Sequence, residues 1–293
     1  MAKLFKKLHW ADALIIVALT VFVATIWLRI DGTLNYKWNW SIIPRYIIRW
    51  DEHEGVWVAN ILLQGLISTI RVSIYAGILA VIIGVLLGIA RCAQNLTLRL
   101  LARTYVECLR NIPPIVVIFI FYFFLSEQVV SAFGIEKWAR GIARSENPEV
   151  WSFFFGDMRH FPSLISGVVV LAMFESAFVG EIVRSGIQSV GIGQREAARA
   201  LGLGWVDEMR FVVLPQAIKR VLPPLANQFI TLVKDSSIIS LIAIQELTYK
   251  TSELVVSTRA IFEAWLTTAA FYFIICFSLS MLFRKFEKKR SAT

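Results

Sequence analysis

Apolar residues run in long blocks along this chain, with polar residues gathered between them. Crossing a bilayer as a helix takes roughly 20 apolar residues. Stretches of that kind fall at about 11–30, 60–90, 104–126, 163–183, 219–246 and 263–283. They predict an all-α membrane protein with about six transmembrane helices. The first stretch follows Lys3, Lys6 and Lys7, as a signal peptide would. Its apolar run is longer than a signal-peptide core, and no clear small-residue cleavage site follows, so it reads as a retained anchor helix. The fifth stretch is broken. Apolar runs 221–233 and 238–245 flank Lys234-Asp235-Ser236-Ser237, and Pro215, Pro223 and Pro224 lie at its entry. Polar backbone at membrane depth is tolerated where protein buries it or where it lines a cavity.

Composition agrees with the blocks. The 293 residues are 57% hydrophobic, above the 45–50% usual for soluble domains. Cys92, Cys108 and Cys276 are scattered and odd in number, and His9, His53 and His160 show no pairing, which leaves neither a disulfide framework nor a metal site. The formal net charge of +9 fits a role for Lys and Arg in setting membrane topology better than nucleic-acid binding. With six spans, the N-terminus, 91–103, 184–220 and the C-terminus share one side and hold about 17 Lys and Arg, against about nine opposite. The positive-inside rule then makes both termini cytoplasmic. Tyr36, Trp38, Trp40, Tyr46, Trp50 and Trp57 suit an outer segment along the headgroup layer, where rings with one apolar and one polar end prefer to sit. A plain connecting loop is the alternative reading. Loop 127–162, with Trp138, Trp151 and Phe153–Phe155, has room for short interfacial helices.

Inside the spans, Ala76, Ala80, Gly84 and Gly88 recur every four residues and should face another helix, since small residues let helices approach closely in lipid. Charged residues at membrane depth are costly and mark interior or water-lined positions. Arg71, Glu175 and Lys234 are of this kind. Glu175 and Asn227 lie at similar depth and suit one polar cavity, with Arg71 close to Glu175 or to a solute carboxylate. Asp235 and Ser236 extend the same path. A structural ion pair is the competing reading for these residues.

The loop 184–220 is the most distinctive part. QREAARAL, from Gln194 to Leu201, favours a helix through its Ala and Arg content. Arg195 and Arg199 share one face at i,i+4, with Ala197 and Leu201 beside them. Gly202 suits a left-handed helix end. A second helix should begin near Trp205, with Asp207 and Glu208 in its first turn, where negative charge suits the helix dipole. This describes a small rigid knob suited to a partner's groove; an ordinary amphipathic connector is the plainer reading.

Glu196-Ala197-Ala198, followed by Gly202 and then Leu214-Pro215, resembles the EAA loop of ABC-importer transmembrane subunits. The stretches Glu181–Leu203, Gln64–Ser73, Tyr105–Phe123 and Leu232–Leu247 are similar to the polar amino-acid importer branch, which serves histidine, glutamine and glutamate. The similarity covers roughly 60–287. Gly191, where Pro is frequent, and Asn111-Ile112, where Gly-Thr is frequent, depart from the pattern. The resemblance implies a five-helix permease core plus an extra N-terminal helix. It partitions the chain into 1–58 (anchor helix and aromatic segment), 59–287 (transmembrane domain with coupling loop 184–214) and 288–293 (basic tail). It also implies a bacterial inner or plasma membrane and a polar amino-acid substrate. The implied partners are a dimeric P-loop ATPase carrying ATP and Mg, a second permease chain and an extracytoplasmic solute-binding protein. Glu196, Ala197, Ala198, Gly202, Arg195 and Arg199 would form the ATPase-coupling surface. The chain has no GxxxxGK[ST] sequence of its own, so no ATP site is expected on it. Neither HExxH nor GxSxG is present, which argues against an intramembrane enzyme. A secondary transporter or channel driven by an ion gradient is the alternative from another class; inverted repeats would favour it, and none is convincing.

Overall fold

Where apolar side chains surround a helix on all sides, the helix must be covered by lipid or protein. The computed structural model describes residues 10–33, 36–52, 55–144 and 148–291. Lys3, Lys6, Lys7, His9 and His53 lie outside the described residues, as does the end of the basic tail at 292–293. The chain divides into two compact units, Met1–Ser41 and Ile42–Thr293. In the first, α1 (Trp10–Thr33) carries an apolar stretch from Asp12 to Phe22. Thr20 and Thr25 each donate to the carbonyl four residues back, at 2.7 Å, so these hydroxyls are satisfied within the helix. Beyond α1, the Trp38 ring stacks on Trp40 at 5.9 Å.

The second unit starts at Ile42. It opens with α2 (Ile43–Ile47), β1 (Ile48–Asp51) and β2 (Val56–Ala59); α2 and β2 pack on the helix that follows, and β1 is held through them. The strands form an antiparallel hairpin with Ile48 opposite Ala59 and Asp51 opposite Val56. Trp50 and Trp57 sit edge to face across it at 5.5 Å, a cross-strand aromatic pair of the kind that stabilises such ribbons. The Asn60 amide donates to Ile47 O at 2.9 Å, and Asn60 Oδ1 accepts from Ile61 N at 2.8 Å, capping the next helix.

Among the described residues, four helical stretches are long and apolar enough to cross a membrane: Ile61–Ala90, Pro114–Ala132, Met158–Gln188 and Ile261–Phe286. The first is α3 (Ile61–Ala90). The next span was expected at 104–126 and is shifted. Helix α4 (Leu96–Asn111) stops at Ile112, which is extended at φ −100°, ψ 140°, because a residue before proline is pushed out of the helical region. Pro114 then opens α5 (Pro114–Phe121), which passes through a π turn at Tyr122–Ser126 into α6 (Glu127–Ala132). Helix α4 is amphipathic rather than apolar: Ala102, Val106 and Leu109 are buried, while Arg99, Arg103 and Arg110 are exposed.

Helices α7 (Ile135–Ala143) and α8 (Pro148–Phe155) fill the next loop. They lead to α9 (Phe161–Gln188), the central helix, buried along most of its length. Its main partner is α3. The Ala76, Ala80, Gly84 and Gly88 stripe is buried at this contact. A Cβ on Gly84 would meet the Val179 side chain and lie 3.0 Å from Gly180 N, and one on Gly88 would lie 2.6 Å from Val183 Cβ. After α9 come α10 (Ile192–Ala200), the short α11 (Trp205–Asp207) and a π turn at Glu208–Val213. They lead into α12 (Leu214–Asp235), which contains Pro223 and Pro224. As the polar interruption foretold, α12 ends at Asp235 and gives way to a 3-10 turn, Ser236–Ile242, closed by Ala243 at φ 60°. Helices α13 (Leu247–Thr258) and α14 (Ile261–Ser291) complete the unit. Buried Glu246 fastens this end: its carboxylate accepts from Tyr249 N at 2.8 Å, Tyr272 OH at 2.8 Å and Thr69 Oγ1 at 3.3 Å, which ties α3, α13 and α14 together.

Candidate coupling knob and buried polar site

The knob follows from local sequence. Helix α10 ends as expected at Gly202, whose φ of 77° is the left-handed conformation that glycine adopts without a Cβ penalty. Leu203 N donates to Ala198 O at 3.2 Å and Gly202 N to Arg199 O at 2.9 Å, so the last carbonyls of α10 are capped by a Schellman-type turn. Arg199 Nε then reaches Glu208 Oε2 at 2.9 Å, fastening α10 to the π turn. The same bond holds the Arg199 guanidinium more firmly protonated than an isolated arginine.

The six knob residues divide by the direction they face. Glu196, Ala197 and Gly202 are exposed, and no atom lies within 4 Å of a Cβ added at Gly202. Ala198 is buried and packs inward, so it shapes the knob rather than its surface. Arg195 also turns inward, with Nη2 donating to Ile187 O at 2.7 Å. Ile192, Leu201 and Val206 stand out as exposed apolar side chains around the exposed residues. The knob therefore presents a small, mixed apolar surface on a rigid mount.

The intramembrane residues are distributed differently from the expectation. Glu175 is fully buried on α9, and its Oε2 accepts from Gln228 Nε2 at 2.7 Å. Asn227, at the same depth, is exposed. Gln228 belongs to the buried face of α12, in step with Ala217, Val221 and Leu232, whereas Asn227 is rotated about 100° away along a helix of 3.6 residues per turn. Glu175 Oε1 is buried without a well-formed hydrogen bond, with the Asp235 carboxyl beside it. Ser236 is buried and satisfied locally, donating to Val233 O at 2.7 Å. Lys234 is exposed. Arg71 is far from this group: its guanidinium donates to Ser152 O at 3.2 Å and Phe153 O at 2.7 Å, holding α8 against α3. Glu175, Gln228 and Asp235 thus form the polar core, while Arg71, Asn227 and Lys234 do not touch it. Arg71 lines a separate cavity of about 370 Å³ with Gln64, Asp157, His160 and Lys250.

Sequence reasoning also missed an ionic cluster at the α10 end of the helices. Arg91, its side chain only 7% exposed, pairs with Glu181 and with Glu107 at 3.2 Å. Arg184 Nε donates to Glu181 Oε2 at 3.0 Å, and Arg110 lies 3.6 Å from Glu181. These bonds join the end of α3 to α4 and α9. The sequence shows Arg91 only as a loop charge that sets topology, because its partners come from separate helices.

Comparison with known proteins bears on both regions. Residues 80–292 match the family described as binding-protein-dependent transport system inner membrane component. The chain belongs to this family. It is 33% identical over 227 residues to the probable glutamine ABC transporter permease protein GlnM of Bacillus subtilis, covering 78% of this chain and 92% of the relative. It is 30% identical to the glutamine transport system permease protein GlnP of Escherichia coli K12, covering 81% and 97%. Among solved structures, it resembles a chain from a crystal structure of an amino acid ABC transporter with histidines, with a TM-score of 0.61 and 31% identity over 78% of this chain and 94% of that one. An inward-facing MetNI methionine ABC transporter shares the fold, with a TM-score of 0.52 at 19% identity, covering 77% and 95%. The chain is an all-α membrane-embedded permease of the ABC-importer type, and the exposed EAA knob and the buried carboxyls lie within the matched region.

Proposed function

We infer that this chain is the membrane-spanning subunit of an ABC importer for a polar amino acid, coupled to a separate dimeric ATPase through α10. The observation that carries the reading is the capped knob: Glu196, Ala197 and Gly202 open on the surface, Ala198 and Arg195 anchored beneath, and Arg199 fixed to Glu208. The amino-acid class is supported by relatives whose names give glutamine as the transported solute. ATP and Mg belong to the partner and supply the driving energy there; this chain contributes the rigid lever. A knob held by a short cap and one ion pair moves as a unit with the π turn and α12. A push on α10 is therefore transmitted to Gln228 and Asp235, which share α12, and through them to Glu175. The unsatisfied Glu175 Oε1 beside Asp235 makes the membrane centre favourable to a hydrogen-bond donor such as an α-ammonium group.

The remaining parts of the reading are a second permease chain that completes the path, an extracytoplasmic binding protein that delivers solute, a bacterial plasma membrane, and cytoplasmic termini. The orientation is supported by the Arg-rich cluster at the α10 end. Purification of the tagged chain from its host in mild detergent tests the assignment. A P-loop ATPase should co-purify with the wild type and be lost from the Gly202→Asp variant. A chain that purifies alone and transports in liposomes without ATP would replace this reading with an ion-gradient transporter.

A further inference from the structure

Helix α4 has two sides of opposite chemistry. One lines an apolar groove of about 760 Å³ with Leu86, Leu98, Leu101 and Tyr105, and Leu86, Leu98 and Leu101 are exposed there. The other lines a cavity of about 570 Å³ with Arg91, Arg99, Arg103 and Arg184, and with Leu96 and Leu100 at its edge. Arg91 and Arg184 spend their charge on Glu181 and Glu107. Arg99 and Arg103 sit one turn apart on the exposed face and form no ion pair among the described residues. Arg91, Arg99, Arg103, Arg110 and Arg184 face Glu107 and Glu181, so positive charge is in excess. The cavity also lies where the apolar span Ile61–Ala90 has just ended, at the depth of a headgroup layer. A helix with leucines on one side and arginines on the other suits that boundary.

We propose that this cavity binds the phosphate of an anionic phospholipid in the leaflet on the α10 side, held by the guanidinium forks of Arg99 and Arg103, with Leu96 and Leu100 against its glycerol backbone. Guanidinium groups match phosphate oxygens two at a time, and basic pockets between membrane helices recognise lipid headgroups. The lipid would clamp α4 against α3 and α9, where Val106 packs beside Gly180. The proposal rests on membrane embedding and not on which solute is carried, so it stands or falls separately from the substrate assignment.

The test places the full chain, with the subunits that co-purify, in nanodiscs of phosphatidylcholine containing a minor share of phosphatidylglycerol. Detergent extraction and native mass spectrometry then measure the phosphatidylglycerol retained per chain. The wild type should retain phosphatidylglycerol selectively over phosphatidylcholine. Arg99→Gln or Arg103→Gln alone should lower the apparent affinity about fivefold, and the pair about 25-fold, at about 1 kcal/mol per basic residue. Arg99→Lys with Arg103→Lys keeps the charge and loses the fork, so its retention should fall between those of the wild type and the paired Gln variant. Removing the exposed charges of α7 by Lys137→Gln with Arg140→Gln should leave retention unchanged. If the paired Gln variant fails to fold, the single variants carry the test. Undiminished retention in a folded Arg99→Gln, Arg103→Gln chain would overturn the proposal. So would displacement of the lipid by millimolar inorganic phosphate, which would make the cavity a soluble-anion site.

Discussion

Replacing Gly88 with alanine adds one methyl group where α3 and α9 are in close contact. Its Cβ would lie 2.6 Å from Val183 Cβ and Cγ1 and 2.9 Å from Gly180 O, whereas carbon atoms rest at about 3.5–4.0 Å. Turning the Val183 side chain does not cure this, because Val183 Cβ is fixed to the backbone; the helices must part by about 1 Å. Overpacking of this kind costs about 1–3 kcal/mol. It is partly offset by the helix preference of Ala over Gly, worth up to about 1 kcal/mol, which leaves a net loss of about 0–2 kcal/mol and a gap of about 1–3 kcal/mol from a glycine replaced without a clash. Gly141, inside α7 with nothing within 4 Å of an added Cβ, is the internal control: Gly141→Ala gains the helix preference without the clash. The assay is unfolding of the purified chain in mixed micelles by increasing dodecyl sulfate, followed by circular dichroism. Gly88→Ala should unfold at lower denaturant than the wild type, and Gly141→Ala at the same or higher. A Gly88→Ala chain as stable as Gly141→Ala would refute the idea that the small-residue stripe sets the α3–α9 distance.

Other outcomes follow from the knob and the polar contacts. Gly202→Asp, which forces a Cβ-bearing residue to φ 77° at a cost of about 1–2 kcal/mol, should insert normally yet abolish ATP-dependent uptake; normal uptake by a well-expressed variant would sink the coupling role. Arg199→Ala frees α10 from Glu208 and should lower coupled ATPase activity more than it lowers expression; equal losses would point to a folding defect. Glu175→Gln keeps the shape and replaces the buried carboxyl with an amide that cannot exchange a proton, so the transport KM should rise with the solute still delivered by its binding protein, and an unchanged KM would mark Glu175 as a packing element. Tyr272→Phe removes a 2.8 Å hydrogen bond to the buried Glu246 carboxylate and should cost about 1.5–3 kcal/mol, read as a lower midpoint in the same micelle titration.

The features legible in the sequence are those set by neighbours a few residues apart. Long apolar blocks define spans at α3, α9 and α14, because a helix in lipid needs length and little else. The end of α10 at Gly202 and the break after Asp235 are written locally, in a left-handed glycine and in a polar interruption. The break between α4 and α5 was also present, in Pro113 and Pro114, but apolar content across 104–126 concealed it. Periodicity states how deep a residue lies along its helix and not which way it faces. It therefore placed Asn227 beside Glu175 where Gln228 makes the contact, although the buried series Ala217, Val221 and Leu232 held the phase. Ala198 turning inward, Arg71 bonding to the carbonyls of Ser152 and Phe153, and Arg91 bridging Glu107 and Glu181 were decided only by tertiary structure. Each depends on how one helix is rotated about its axis against another distant in sequence. That rotation is fixed by close packing of whole faces, such as the Ala and Gly stripe of α3 against α9, and no single segment contains it.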